Sequence, residues 1–433
     1  MKDIFLRFDV YDVRFPTSRT LAGSDAMNRD PDYSAAYVAL RTSAGDAGYG
    51  FVFTIGRGNE VAVSAIRAVE PLVVGLEVGE VLADLGGFAR LLTHDSQLHW
   101  LGPDKGLVHM AVGAVLNAVW DLYARRRGLP LWELLSQLSP RQVADLVDFR
   151  YLGDALSYEE AVEILERASV GKAERERRLL ADGYPAYTTS VGWLGYPDEK
   201  VLALAGQAVS AGFDHLKLKV GAGPESDARR VKLVRELVGP AVHLSVDANQ
   251  AWEVDEAIDN VRRLAGYGIY WVEEPTSPDD IAGHLAIAKA VAPVRVATGE
   301  HVANRVVFKQ LLSSGAIGVC QIDACRVAGV NENVAIVLLA AKFGVPVCPH
   351  AGGVGLSEVV QHLSMFDYVA VSGTTEGRWT EYVEHLHEHF VTPARVEHGR
   401  YRAPLEPGSG AEMLAESVAG YTFPGGPAWR EAS

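Results

Sequence analysis

A chain of 433 residues with 48% apolar and 22% charged side chains is long enough for two hydrophobic cores and far from the composition of a disordered chain. Its formal net charge of −15 argues against the broad basic face that grips a nucleic-acid backbone, but not against a small anionic substrate, because a metal ion and lysines can reverse the potential inside a cleft. Cys320, Cys325 and Cys348 are too few for a disulfide scaffold and too scattered for a structural zinc site.

The opening MKDIFLRFDVYDVRF sets charges among its apolar residues, unlike a signal-peptide core. AIVLLAA at 335–341 falls short of the ~20 apolar residues that cross a bilayer. A cytoplasmic protein with no membrane partner is therefore expected. FLRFDVYDVRF, AAYVALRT and YGFVFTI alternate apolar residues around the polar stretch 23–32 and the turn SAGDAG, which predicts an antiparallel sheet. Residues 60–139 turn helical: in VHMAVGAVLNAVWDLYARRRGLPLWELL apolar positions recur three and four apart, punctuated by Gly128 and Pro130. Strands followed by helices predict an α+β domain over 1–142.

From residue 143 short apolar strands alternate with helical segments. The candidates are LVDFRYL (146–152), HLKLKV (215–220), HLSVDAN (243–249), IYWVEEP (269–275), VRVATGE (294–300), GVCQIDA (318–324), VPVCPHA (345–351) and DYVAVSG (367–373). Eight strands at strand–helix–strand spacing predict an α/β fold closed as a parallel barrel over 143–384, with an open doubly wound sheet as the alternative. The gap between 152 and 215 leaves room for an excursion. The tail, 385–433, is expected to fold back on the first domain.

The strand period of two sorts the polar residues. Lys217 and Lys219 share one face of their strand, Ser245, Asp247 and Asn249 one face of the next, and Asp247, Glu273 and Glu300 lie at the carboxyl ends of three consecutive strands, where barrel enzymes keep their sites. Separate capping or solvated acids are the plain alternative. Converging, three carboxylates would repel one another unless a hard divalent cation, best Mg²⁺, sat among them. Glu274 points to the opposite strand face and Asp279 lies beyond Pro275, so both are less suited. Lys217 and Lys219 either neutralise these acids or lower one another's pKa far enough for one to act as a base. Asp323 and His350 end neighbouring strands and can pair, fixing the imidazole tautomer. GRG at 56–58 and GGVG at 352–355 match neither a Rossmann nor a Walker pattern, and His385 with HEH at 387–389 fits the solvated face of a helix better than a metal site.

SDAMNRDPDYSAAYV (24–38), FTIGRGNEV (53–61), LKLKVG (216–221), VDANQAW (246–252), WVEEPTSPDDI (271–281), GEHVANRVVFKQ (299–310), QIDACR (321–326) and CPHAGGVGL (348–356) together resemble the mandelate-racemase group of the enolase superfamily, and within it the L-fuconate dehydratases. The resemblance implies a modified (β/α)7β TIM-like barrel under an α+β cap that the last segment completes. It implies Asp247, Glu273 and Glu300 as metal ligands, Lys219 as base, Lys217 as its carboxylate-polarising companion, the His350–Asp323 dyad as the opposing acid, and Glu381 as an acid on the enolate oxygen. Asn249, Glu300, His350 and Glu381 would touch substrate, as would Ser24, Asp25 and Tyr33 of the cap loop, whose other reading is a surface turn held by Asx-type bonds. Trp193 could wall the pocket. The implied activity is magnesium-dependent conversion of L-fuconate to its 2-keto-3-deoxy acid, with no redox cofactor, by a homo-oligomer. Another aldonate or aldarate, racemisation, or binding without catalysis are the alternatives.

Overall fold

The computed structural model describes residues 2–430. Alternating apolar residues build the first sheet as expected: β1 (Phe5–Arg14), β2 (Ser34–Thr42) and β3 (Ala47–Thr54) pair antiparallel in that order. The helix Gly106–Arg127 packs on β3, and two glycines set how closely. A Cβ at Gly50 would sit 2.2 Å from the Ala114 carbonyl oxygen, and one at Gly48 1.9 Å from that of Ala118. Gly50→Ala is therefore expected to lower stability by about 1–3 kcal/mol, because helix and strand must separate. An unchanged unfolding midpoint would show that the interface gives way freely.

By length and composition this 22-residue helix could cross a bilayer. Its most apolar window is 83% buried inside the protein. Besides β3 it meets the helix Gly329–Phe343, with Trp120 Nε1 donating to Asn331 Oδ1 at 2.8 Å and His109 Nε2 lying 2.6 Å from Glu332.

The second sheet curls into a ring. β4 (Tyr184–Thr188), β5 (His215–Lys219), β6 (His243–Asp247), β7 (Ile269–Glu273), β8 (Arg295–Thr298) and β9 (Val319–Cys320) pair in parallel sequence. The segment 346–350 follows as seventh strand through Cys348 N to Cys320 O and His350 N to Ile322 O, at 2.9 and 3.0 Å. β10 (Thr380–Tyr382) closes the ring, pairing parallel with β4 and taking a bond from Glu381 N to Pro349 O at 3.1 Å. Helices follow every strand but the last, giving the (β/α)7β order. The hairpin of β11 (Val396–Glu397) and β12 (Arg400–Tyr401) adds to β4 from outside. The later tail reaches the first sheet, where Thr422 bridges Val13 and Phe423 N donates to Asp12 O at 2.8 Å.

Two expected strands are corrected. Residues 146–152 form turns between helices. Leu146, Val147 and Leu152 are buried without a strand, Asp148 is held by His94 and Arg305 at 2.8 Å each, and Tyr151 has φ 68°. The first barrel strand is instead YPAYT, whose proline disguised it. DYVAVSG at 367–373 continues the helix Leu356–Phe366 as a π turn, anchored by buried Asp367 against Arg378 at 2.7 Å. Tyr368, Val369, Ala370 and Val371 are all buried, so composition and burial fit a strand as well as a helical turn and do not separate the two. HEH at 387–389 is a single 3₁₀ turn, with His389 buried against Phe15 and Ser417, rather than a solvated helix face.

Candidate active site

Parallel register brings the charged residues to one level. Lys219 lies opposite Asp247, and Asp247 opposite Glu273, at the carboxyl ends of β5, β6 and β7. Glu300 lies two residues beyond β8. Gly299 turns it inward at φ 153°, where a Cβ would meet the Gln321 carbonyl oxygen at 2.1 Å, so only glycine fits. The side chains of Asp247, Glu273 and Glu300 are buried, with ligand oxygens all within 4.8 Å of one another.

Around them stand the groups that offset their charge. Lys219 Nζ donates to Asp247 at 2.6 Å and lies over the Trp193 ring, 5.6 Å from its centre. Lys217, fully buried, donates to Glu273 and meets Glu381 at 3.0 Å and Asp247 at 3.4 Å. His350 Nδ1 lies 2.7 Å from Asp323, and its Nε2 lies 3.4 Å from Glu300 and 3.8 Å from Glu381. Glu381 also accepts from Ala351 N at 2.9 Å and from the Thr189 hydroxyl.

Burial works against every charge here, and the outcome depends on each neighbour. Asp247 is held well below the usual carboxylate range because Lys219 and Lys217 outweigh its burial. Glu381 is likewise pulled down to about 2 by Lys217 and His350. Glu273 is pushed far up by burial, which Lys217 offsets only in part, with Asp247 and Glu300 adding repulsion. Glu300 is raised by its burial despite His350. Burial would lower His350, but Glu300, the Asp323 hydrogen bond and Glu381 push it up to about 10, so it carries its proton at neutrality. Lys219 is also raised, against its burial, by Asp247. The expectation that paired lysines depress one another is corrected, because within the protein alone Asp247 bonds Lys219 directly and outweighs Lys217.

Five carboxylates (Asp247, Glu273, Glu300, Asp323, Glu381) face two lysines and one imidazole, which leaves a formal excess of two negative charges. Glu300 Oε2 is buried with no hydrogen-bond partner among the described residues. A hard all-oxygen triad with this excess and an unsatisfied oxygen is compatible with a divalent cation.

A cavity of about 320 Å³ reaches the triad at Glu300, and Asp25, Tyr33, Trp193, Lys219, Asn249, Asp323, His350 and Glu381 also line it, whereas Asp247, Glu273 and Lys217, an expected substrate contact, are fully buried and do not. Asn249 sits at φ 45° with its Oδ1 buried and without a hydrogen-bond partner among the described residues. Asp25 is also an Asx turn, accepting from Met27 N and Asn28 N at 2.8 and 2.6 Å. Ser24 does not line the cavity. Its hydroxyl is spent on Leu21 O and Gly195 N, tying the cap loop to the segment after β4. Tyr33 stacks with His385, and none of the described residues hydrogen-bonds its hydroxyl. Sequence reasoning missed Gln321, which donates to Glu273 at 2.6 Å. Its position two before Asp323 on the same face was the available signal. It also missed Thr189, because β4 had been placed elsewhere, as well as His301 and Arg326 of the cavity wall.

Fold and site define an enolase-superfamily protein, and comparison places the chain in the mandelate racemase/muconate lactonizing enzyme family. The family's enolase C-terminal domain-like model matches residues 200–417, and its mandelate racemase/muconate lactonizing enzyme N-terminal domain model matches residues 24–136. The chain is 53% identical to Bos taurus mitochondrial enolase superfamily member 1 over 429 residues, covering 98% of this chain and 97% of that one. It is 50% identical to Hypocrea jecorina L-galactonate dehydratase over 419 residues, 96% and 93% of the two chains. The crystal structure of human mitochondrial enolase superfamily member 1 superposes with a TM-score of 0.98 at 50% identity, over 99% of this chain and 98% of that one.

Proposed function

We propose that this enzyme is a magnesium-dependent acid-sugar dehydratase that converts L-fuconate to 2-keto-3-deoxy-L-fuconate and water. The observation that carries the reading is one cavity lined by a lysine, a carboxylate-paired histidine and Glu300 of the buried acidic triad. Asp247, Glu273 and Glu300 would hold the cation, whose positive charge would offset the triad, weaken the hold of Asp247 on the Lys219 proton and stabilise negative charge developing on the substrate. Lys219 takes the proton from carbon two. Lys217, bonded to Glu273 and paired with Glu381 behind the cavity wall, offsets the negative charge that develops on the carboxylate, while Glu381, held ionised by Lys217 and His350, accepts rather than donates and helps keep the His350 proton in place. His350, protonated and held by Asp323, gives its proton to the hydroxyl leaving carbon three, which departs as water. The enol left behind tautomerises to the keto acid. Carbon two loses a proton, carbon three loses hydroxide, and no electrons are exchanged with a cofactor.

The choice of substrate has two supports. L-Fuconate is L-galactonate with a methyl in place of the terminal hydroxymethyl, and a relative named for L-galactonate is 50% identical. The cavity also offers Phe53, Ile55, Leu107 and Met110, apolar neighbours that suit a methyl better than a hydroxyl. L-Fuconate should therefore be turned over with magnesium and no nicotinamide, at a kcat/KM roughly 10-fold or more above that for L-galactonate. A colorimetric keto-acid assay across stereoisomeric aldonates and aldarates checks this. Preferred turnover of galactarate would remove the fuconate assignment, and inversion at carbon two in heavy water without keto acid would replace dehydration by epimerisation.

A further inference from the structure

Beside the triad lies a second hydrogen-bonded group that the mechanism above does not use. Glu274 follows Glu273 but turns away from it. Its buried carboxylate accepts from Gln250 Nε2 at 3.0 Å and faces His301 Nδ1 at 2.9 Å. Three non-glycine residues hold this corner in the left-handed region: Asn249 at φ 45°, Gln250 at 66° and Glu274 at 41°. Gln250 N also donates to Glu274 O at 2.7 Å. Such backbone persists only where its surroundings over-determine it. A carboxylate only accepts, so His301 Nδ1 carries the proton and the ring is fixed in orientation. The remaining ring nitrogen, Nε2, has no hydrogen-bond partner among the described residues, although the side chain is 33% exposed and lines the cavity holding Lys219 and His350.

We infer that His301, oriented by Glu274, is a substrate-recognition residue whose Nε2 hydrogen-bonds a hydroxyl of the acid sugar outside the two reacting carbons. A hydroxyl both donates and accepts, so it satisfies Nε2 in either protonation state. Carbons two and three are served by Lys219 and His350, which leaves the hydroxyls on carbons four and five for His301. The ligand class is thus a polyhydroxy acid rather than a simple 2-hydroxy acid, and Glu274 is a positioning residue. The inference rests on the acid-sugar reading, but its test separates the two.

The experiment compares kcat/KM for the acid sugar and its 4-deoxy and 5-deoxy analogues in the wild type, His301→Phe and Glu274→Gln, with magnesium affinity measured by calorimetry. In the wild type, one of the deoxy analogues should lose roughly 10- to 100-fold. His301→Phe should lose about as much with the parent acid and show no further loss with that analogue, while magnesium affinity stays unchanged. Glu274→Gln should weaken the same preference and leave the other analogue's penalty intact. Additive losses with both analogues would overturn the inference. So would a fall in magnesium affinity matching the fall in activity, since the Glu274, Glu300 and His301 donor atoms also lie within 4.8 Å of one another and would then hold the cation. If His301→Phe does not fold, His301→Asn carries the same comparison. If the acid binds without turnover, that result counts against the proposed activity alone, and the analogue comparison is read in dissociation constants.

Discussion

Lys219→Ala is expected to abolish both exchange of the carbon-two proton with solvent and formation of keto acid, with a loss of roughly 10² to 10⁴ or more in kcat. Lys219 is buried at the cavity wall, with Asp247 at 2.6 Å as its hydrogen-bond partner and Trp193 beneath it. Lys217 is fully buried and committed to Glu273 and Glu381, so it cannot take over as base. His350→Asn should differ in kind. It should stop expulsion of the hydroxyl while slow exchange at carbon two persists, because the pKa pushed up to about 10 marks this imidazole as a proton donor at neutrality. Proton exchange by NMR in heavy water, alongside keto-acid formation, reads both steps. Exchange that survives in Lys219→Ala and vanishes in His350→Asn would reverse the two roles. Magnesium affinity of each variant must be measured beside the rates, since Asp247 and Glu300 contact the replaced groups.

Stripping divalent ions is expected to abolish turnover, and magnesium is expected to restore it. The charge stabilisation at stake is several kcal/mol, which corresponds to ~10³-fold or more in rate. Proton linkage gives a sharper signature. Glu273 and Glu300 both sit above the usual carboxylate range, driven there by burial. A group whose pKa is raised holds its proton to higher pH, and a cation taking its carboxylate must expel that proton. Binding should therefore release protons, and affinity should fall as pH falls from neutrality. Calorimetry in two buffers of different ionisation heat measures the release directly. Binding with no proton release and a pH-independent affinity would show that the cation does not sit on Glu273 and Glu300.

The residues whose positions were legible beforehand owe this to local rules. In a parallel barrel the side chains alternate and the strand ends share one level, so Lys217, Lys219, Asp247 and Glu273 could be grouped from period and position alone, as the Lys219–Asp247–Glu273 register bears out. The antiparallel first sheet was equally plain, because its alternating residues are separated by strong turn signals. Where a segment is buried on every side, that signal disappears. DYVAVSG looks like a strand by composition but is a π turn, and with Tyr368, Val369, Ala370 and Val371 all covered, burial does not separate the two.

YPAYT carries a proline and spans five residues, so only its partners β5, β10 and β12 make it a strand. Misplacing it hid Thr189, which ends up on Glu381 from 192 residues away. The protonation of the site was also out of reach of the sequence. Neighbouring lysines on a strand predict mutual depression, yet the fold gives Lys219 to Asp247 and Lys217 to Glu273 and Glu381, and both amines are held up instead. The sequence by itself determined which charged residues end the barrel strands, because that depends on a period of two. Only the tertiary structure decided which of them touch, because pairing across the ring depends on register, closure and a glycine at 299 that no local pattern announces.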